Sequence, residues 1–254
     1  MFIDSTSNKI IKHTKKLWER SGRKEHNQFI IEGKRLVLDA ISCGADIEYI
    51  LFEQGVYVDL PQGITVYELS QKAFSSLKTT VNSQGIMGVV NNPTECNLSL
   101  ENDDRCIYVY LDGIQDPGNM GTILRTADAC GARGVILSKN CVDIYNPKVV
   151  RSTMASIFNV PVYFDDAHRP LLGKMKEHNF KVVSGSLQGD KSIYDVNFKD
   201  RCVIIIGNEA NGITDEVIDL STELVKIPIV GKAESLNASV ACGVMCYEAL
   251  RQNL

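Results

Sequence analysis

Apolar positions along the chain follow two alternating rhythms, one of period 3.6 and one of short continuous runs. Residues 8–20 read as a basic helix, and "QFIIEG" (28–33) reads as a short strand ending at Gly33. "KRLVLDAISCG" (34–44) reads as a helix closed by Gly44, and "IEYILF" (47–52) as a strand. "TVYEL", a helix over about 71–78 and the strand-like "GIMGVVNN" (85–92) complete a small α/β unit over residues 1–92. The polar stretch within "NNPTECNLSLENDDR" has linker composition and predicts a connection over 93–105.

From 106 the pattern becomes strand, glycine loop, helix. "CIYVYLDGI" is a continuous apolar run of the kind buried in parallel sheets, and a helix follows over 118–130. "GVILS" (134–138) is a strand, 147–157 a helix, "VPVYF" a strand and 168–178 a helix. "KVVSGS" and "CVIIIG" are strands, followed by a short helix near 213–220, the strand-like "LVKIPIV" and a helix over 237–252. This alternation predicts that residues 106–254 form a parallel-sheet α/β domain with working groups in loops at the carboxyl ends of strands.

Three such loops stand out. "DGIQDPGNMGTILR" opens a helix with Asn119 at its mouth and Arg125 among apolar neighbours. "IIIGNEANGI" delivers Gly207, Asn208 and Glu209 to the end of a buried strand. "IPIVGKAESLNASVACGVM" puts Ser235 and Asn237 at the start of a nearly all-apolar helix, which is expected to be deeply buried and whose N–H groups present partial positive charge. Helix capping alone accounts for Ser or Asn at that position. The loops fail other phosphate-binding patterns. "DPGNMG" lacks the G-x-G-x-x-G of dinucleotide folds, no Walker A loop occurs, and "GNMG" follows a strand, whereas the GxxG clamp of KH domains joins two helices.

Charge and cysteine content narrow the classes. The net charge of −4 argues against a broadly basic nucleic-acid coat, yet residues 1–35 carry nine Lys and Arg against four Asp and Glu. That segment is therefore +5 and the remainder −9. Lys9, Lys12, Lys15, Lys16, Arg23, Lys34 and Arg35 are its candidate contacts to a polyanion, although a solvated helix face has the same look. Eight scattered cysteines show no CxxC or Cys/His zinc spacing, which fits reduced, buried thiols of a cytoplasmic protein and no metal. Neither a signal sequence nor an 18-residue apolar run is present, so no membrane span is expected.

The three loops, in this order, resemble the SpoU or TrmH-like RNA ribose 2′-O-methyltransferases of the SPOUT superfamily. The family's first motif has Asn followed six residues later by Arg, here Asn119 and Arg125. Its second ends a strand in G-N-E, here Gly207 to Glu209. Its third, I-P-x-x-G-x-x-x-S-L-N-x-S-x-A, is complete from Ile227 to Ala241. "QFIIEGKRLVLDA" and "SQGIMGVV" look like pieces of the small substrate-binding domain, related to a ribosomal-protein RNA-binding fold, that many members carry. Two departures are single methyls: Ala210 follows G-N-E where glycine is frequent, and Ala155 stands where a family segment usually has glycine.

The resemblance implies a deep trefoil knot over about 184–240 and S-adenosylmethionine as methyl donor. Ser184, Gly185, Ser186, Leu187, Gly207, Asn208, Ile227 and Leu236 are the implied cofactor contacts. It also implies catalytic roles for Arg125, Asn119, Glu209, Ser235 and Asn237. In this reading Arg125 clamps the target phosphate and stabilises alkoxide charge, since a guanidinium is a poor proton acceptor. Asn119 would hold Arg125, Glu209 would orient the pair, and Ser235 and Asn237 would position the nucleotide. A homodimer is implied, with ribosomal RNA as the expected substrate and transfer RNA as the second. An antibiotic-resistance methyltransferase of the same family and a non-catalytic ribosome-assembly factor are the alternatives.

Overall fold

The structure, a computed structural model, describes residues 1–79, 84–93, 98, 100 and 106–254; the expected linker lies almost wholly outside them. The chain packs as two units, residues 1–94 with Tyr145–Phe158, and residues 95–144 with Asn159–Leu254.

The first unit contains β1 (Phe2–Ile3), α1 (Lys9–Lys16), α2 (Arg20–His26), β2 (Gln28–Glu32), α3 (Lys34–Ser42), β3 (Ile47–Glu53), β4 (Val66–Leu69), α4 (Gln71–Ser75) and β5 (Ile86–Asn91). Its sheet runs β1-β4-β3-β5-β2, with β1, β4 and β3 parallel and β5 antiparallel to both neighbours. Ile11, Leu17, Ile30, Leu51, Leu69, Phe74 and Val89 form its core. The basic helix expected over 8–20 is broken after Lys16. A Cβ on Gly22 would lie 2.1 Å from the Lys16 carbonyl oxygen, so α2 folds back against the end of α1 at a position only glycine permits.

The second unit contains β6 (Ile107–Asp112), α5 (Pro117–Ala129), β7 (Gly134–Leu137), β8 (Val162–Phe164), α7 (Pro170–Glu177), β9 (Lys181–Gly185), β10 (Lys191–Ser192), β11 (Cys202–Gly207), α8 (Asp215–Leu220), β12 (Glu223–Lys226) and α9 (Ala238–Asn253); α6 (Pro147–Ser152) lies between β7 and β8 in sequence but packs with the first unit. The sheet order is β10-β12-β9-β11-β6-β7-β8, every pair parallel, as the alternating pattern predicts. Tyr108, Tyr110, Val182, Val203 and Ile205 form one core with Leu172 and Met175 of α7 and Val217 of α8. Residues alternate between faces of a strand, and α9 packs on β11 and α5 on the other side.

Three local expectations need correction. The strand expected through "LVKIPIV" stops at Lys226, just ahead of Pro228, which can donate no ladder hydrogen bond. The helix expected over 147–157 ends at Ser152, because Met154 and Ala155 adopt φ of 49° and 75°. That left-handed backbone explains why glycine suits position 155. The C-terminal helix is buried on one side only, leaving Val240 51 % and Tyr247 52 % exposed. Within the first unit, Tyr145 and Phe158 stack on Phe29 at centroid distances of 4.8 and 6.2 Å, and Arg151 lies 3.6 Å from the buried Glu32 carboxylate.

Candidate active site

The strand order reverses between β6 and β11: β7 and β8 extend to one side, β9 and β12 to the other. Ligands of open parallel sheets bind at the carboxyl ends of strands at such a reversal. The last residues of the two strands, Asp112 and Gly207, are register partners, so the first two glycine loops leave the sheet side by side. A Cβ on Gly207 would lie 2.4 Å from the Gly212 carbonyl carbon, which makes glycine obligatory there. Asn208 and Gly212 exchange two backbone hydrogen bonds, and Gly212 takes the left-handed turn at φ 72°. Ala210 has no positive φ, so this departure from G-N-E-G strains nothing.

Glu209 ties the loops together. Its carboxylate accepts the backbone N–H groups of Gln115 (3.2 Å) and Asp116 (3.1 Å) and the Asn119 amide (2.9 Å). Asn208 donates to the Gly113 carbonyl at 2.7 Å. Asp116 caps α5 by accepting Asn119 N–H at 2.8 Å. Asn237 in turn donates to Asn119 Oδ1 at 3.0 Å, while its own Oδ1 accepts Ser239 N–H, Ser239 Oγ and Val240 N–H. Burial pushes the Glu209 carboxyl up, but the Asn119 amide and the backbone donors outweigh it and hold the group below its ordinary value. With its oxygens committed to donors, Glu209 is a poor proton acceptor and a good anchor.

Asn119, Glu209, Asn208 and Asn237 are thus brought together. Arg125 is not held by Asn119 or oriented by Glu209. Six residues along a helix place it about 120° around the axis from Asn119, and it is exposed with no partner among the described residues. Ser235 is exposed and Leu236 half-exposed in the segment leading to α9. Ser184 is fully buried and shares a 2.6 Å hydrogen bond with Ser221, so its side chain faces the interior. Gly185 and Ser186 are partly exposed, Leu187 is exposed, and Ile227 is partly exposed beyond β12. In the first unit Lys9, Lys12, Lys15, Lys16, Lys34 and Arg35 are exposed. Arg23 is buried and donates to the Leu17 and Trp18 carbonyls at 2.9 and 2.8 Å; it is a structural bracket for the α1–α2 turn, not a polyanion contact.

Sequence reasoning misses three residues below the site. Asp112, 1 % exposed, accepts Arg169 Nη2 at 2.9 Å and both the backbone N–H and the hydroxyl of Thr214 at 2.8 Å. Each reads in sequence as a turn or cap residue, and nothing local signals that they meet. No thiol is activated nearby: Cys141 donates to the Leu111 carbonyl and burial pushes its thiol up. Among the described residues, no group of three or more His, Cys, Asp and Glu could hold a metal, and no helix is long and apolar enough to cross a membrane.

A parallel sheet with polar glycine loops gathered at its reversal point defines an α/β protein of the open, mostly parallel class. The chain belongs to the SpoU rRNA methylase family, whose model matches residues 106–247, and residues 8–88 match the MRM3-like substrate binding domain. It is 32 % identical over 250 residues to the 23S rRNA (guanosine(2553)-2′-O)-methyltransferase RlmP of Bacillus subtilis, covering 96 % of this chain and 97 % of that one. It is 27 % identical over 262 residues to the 23S rRNA (uridine(2479)-2′-O)-methyltransferase of Streptomyces viridochromogenes, covering 94 % and 88 %. Among solved structures, an AdoMet-bound rRNA methyltransferase from Sinorhizobium meliloti superposes with a TM-score of 0.86 at 30 % identity, covering 100 % of this chain and 98 % of that one.

Proposed function

We propose that the protein transfers a methyl group from S-adenosylmethionine to a ribose 2′-hydroxyl of ribosomal RNA, acting as a cytoplasmic homodimer. The observation that carries this reading is the hydrogen-bonded chain Asn237–Asn119–Glu209 at the carboxyl ends of β6 and β11. The names of the relatives above support the RNA class and the position on the ribose.

The donor fits the residues present. Loops after β9, β11 and β12, three neighbouring strands, leave the apolar side chains of Leu187, Val230 and Leu236 exposed, a surface suited to an adenosyl group. Gly185, Ser186, Gly207, Asn208 and Ile227 line the same ends, in a segment proposed to be knotted; Ser184 contributes from beneath. S-adenosylmethionine supplies an activated methyl group on a sulfonium, so no nucleophilic side chain is needed.

The protein's own groups then align the 2′-oxygen, stabilise its charge and exclude water. Asn119 is fixed in orientation by Glu209 on one side and Asn237 on the other. Ser235 and the N-terminus of α9 meet the nucleotide phosphate. Arg125 stabilises charge on the 2′-oxygen. Because it faces away from its own Asn119, a second copy covering Val240 and Tyr247 is proposed to supply it. Lys9, Lys12, Lys15, Lys16, Lys34 and Arg35 contact RNA phosphates. The domains are proposed as 1–92 for substrate and 106–254 for catalysis, with 145–158 packed on the former.

Undermethylated ribosomal RNA and transfer RNA, assayed in parallel with labelled S-adenosylmethionine, test the substrate. Label entering ribosomal RNA alone is expected. Label entering transfer RNA alone overturns the substrate, and salt-sensitive RNA binding without donor binding overturns the enzyme.

A further inference from the structure

The loop that carries Asn208 and Glu209 is closed at its base by Asp112, the residue at which the first loop begins. Gly207, where the loop leaves β11, lies opposite Asp112 in the sheet. Thr214, where the loop re-enters regular structure, gives both its backbone N–H and its hydroxyl to Asp112 Oδ2 at 2.8 Å. The other oxygen, Oδ1, accepts Arg169 Nη2 at 2.9 Å, an ion pair with both side chains buried. Arg169 sits at the start of α7 in left-handed backbone, φ 54°, and donates from Nη1 to the Asp166 carbonyl at 3.4 Å. Its Nε is buried with no partner among the described residues.

Such an arrangement is expensive: a non-glycine residue in left-handed backbone, a buried charge pair and an orphaned donor meet at one point. It persists because the surrounding structure over-determines it, and what it determines is where the 208–213 loop sits. From Asp112 the chain continues through Gly113, whose carbonyl accepts Asn208, and through Gln115 and Asp116, whose N–H groups bind Glu209. One carboxylate therefore sets the base of both loops that meet at Asn119.

We propose that Asp112 is a positioning residue for the methyl-transfer site, holding Glu209 in register with Asn119 through Thr214, with Arg169 as the counter-charge that keeps its carboxylate aimed. The inference rests on the functional reading above. Asp112 touches neither substrate nor donor in it and acts only through the loop. The network spans β6, α7 and α8, three elements far apart in sequence, which is why no local pattern announces it.

The test uses the full-length protein, ribosomal RNA and labelled S-adenosylmethionine under single-turnover conditions. Asp112→Asn leaves Arg169 without its counter-charge and is at risk of unfolding, so the deciding pair is Thr214→Val and Thr214→Ser. Valine keeps the shape and the backbone N–H but loses the hydroxyl; serine keeps the hydroxyl. Thr214→Val is expected to lower the transfer rate at least about tenfold, the scale of a small misplacement of reacting groups, with RNA affinity and donor affinity within about threefold of wild type. Thr214→Ser is expected to restore the rate. In a Glu209→Ala background, Thr214→Val should add less than about twofold, because the residue it acts through is gone. A full tenfold effect in that background, or a wild-type rate for Thr214→Val while Glu209→Ala is slow, overturns the positioning role alone. A wild-type rate for Glu209→Ala overturns the site reading itself and the positioning role with it.

Discussion

Asn237, the N-cap of α9, donates to Asn119, in the first turn of α5, across 118 positions of sequence at 3.0 Å. The bond fixes the orientation of both amides. A carboxylate only accepts, so Asn119 must present Nδ2 to Glu209 and its oxygen to Asn237; Asn237 must then present its own oxygen to the first N–H groups of α9. The positive end of one helix is thereby wired to an anionic side chain through two amides of determined direction. Asn119→Ala cuts this wire. It should lower kcat by at least about 100-fold and stability by about 1 kcal/mol, read by single-turnover transfer and thermal denaturation.

The Glu209 carboxyl sits below its ordinary value in the folded protein. A depressed carboxyl contributes stability above its unfolded pKa, and that contribution is lost as pH falls through the folded value. The loss should begin near the ordinary glutamate range, about pH 4 to 5, and run downward from there. Glu209→Gln should flatten that part of the melting-temperature profile. It should leave the shape of the activity profile above about pH 6 unchanged, since Glu209 stays charged throughout that range. An activity limb near pH 7 that vanishes in Glu209→Gln contradicts the anchor role.

Two glycines of the same loop should fail differently. Gly207→Ala drives a Cβ to 2.4 Å from backbone of Gly212, so the loop must shift; a loss of about 2 kcal/mol together with most of the activity is expected. Gly212→Ala meets nothing within 4 Å and suffers only its φ of 72°, a cost of about 1 kcal/mol with activity largely kept. Denaturant unfolding and turnover measured on both variants separate these outcomes.

The basic residues of the first unit divide by burial. Arg23→Ala removes two hydrogen bonds to carbonyls and should destabilise the fold by about 3 kcal/mol, as read by denaturant unfolding. Lys12→Glu and Lys16→Glu, on exposed positions of α1, should instead leave stability within about 0.5 kcal/mol and weaken RNA binding. Each lost phosphate contact should reduce the salt slope of RNA affinity by about one.

Much of the second unit is legible in sequence because its strands are continuous apolar runs bounded by glycine, and "CIYVYLDGI" and "CVIIIG" leave no alternative to buried strands. Asn119, Glu209 and Asn237, which meet in the structure, were each legible as members of the ordered motifs. What stayed hidden depends on long-range contact. Arg23 looks like any solvated base on a cationic helix until the α1–α2 turn encloses it. Asp112, Arg169 and Thr214 each have an ordinary local reading. β10 is two residues long, and the packing of 145–158 on Phe29 leaves no periodic trace. Arg125 was legible as a motif residue, but its direction followed from helix geometry that the motif spacing already contained.

The measurement that tests the central claim most directly is the chemical position of the transferred methyl, for wild type and Arg125→Ala. A 2′-O-methyl removes the hydroxyl that attacks its own phosphate in alkali, so label on the ribose survives hydrolysis in a dinucleotide. The account predicts label in an alkali-resistant dinucleotide from wild type, and none from Arg125→Ala, which should melt within about 0.5 kcal/mol of wild type because its side chain is exposed and should bind the donor within a few-fold. Label released in mononucleotides, or near-normal transfer by Arg125→Ala, would contradict it.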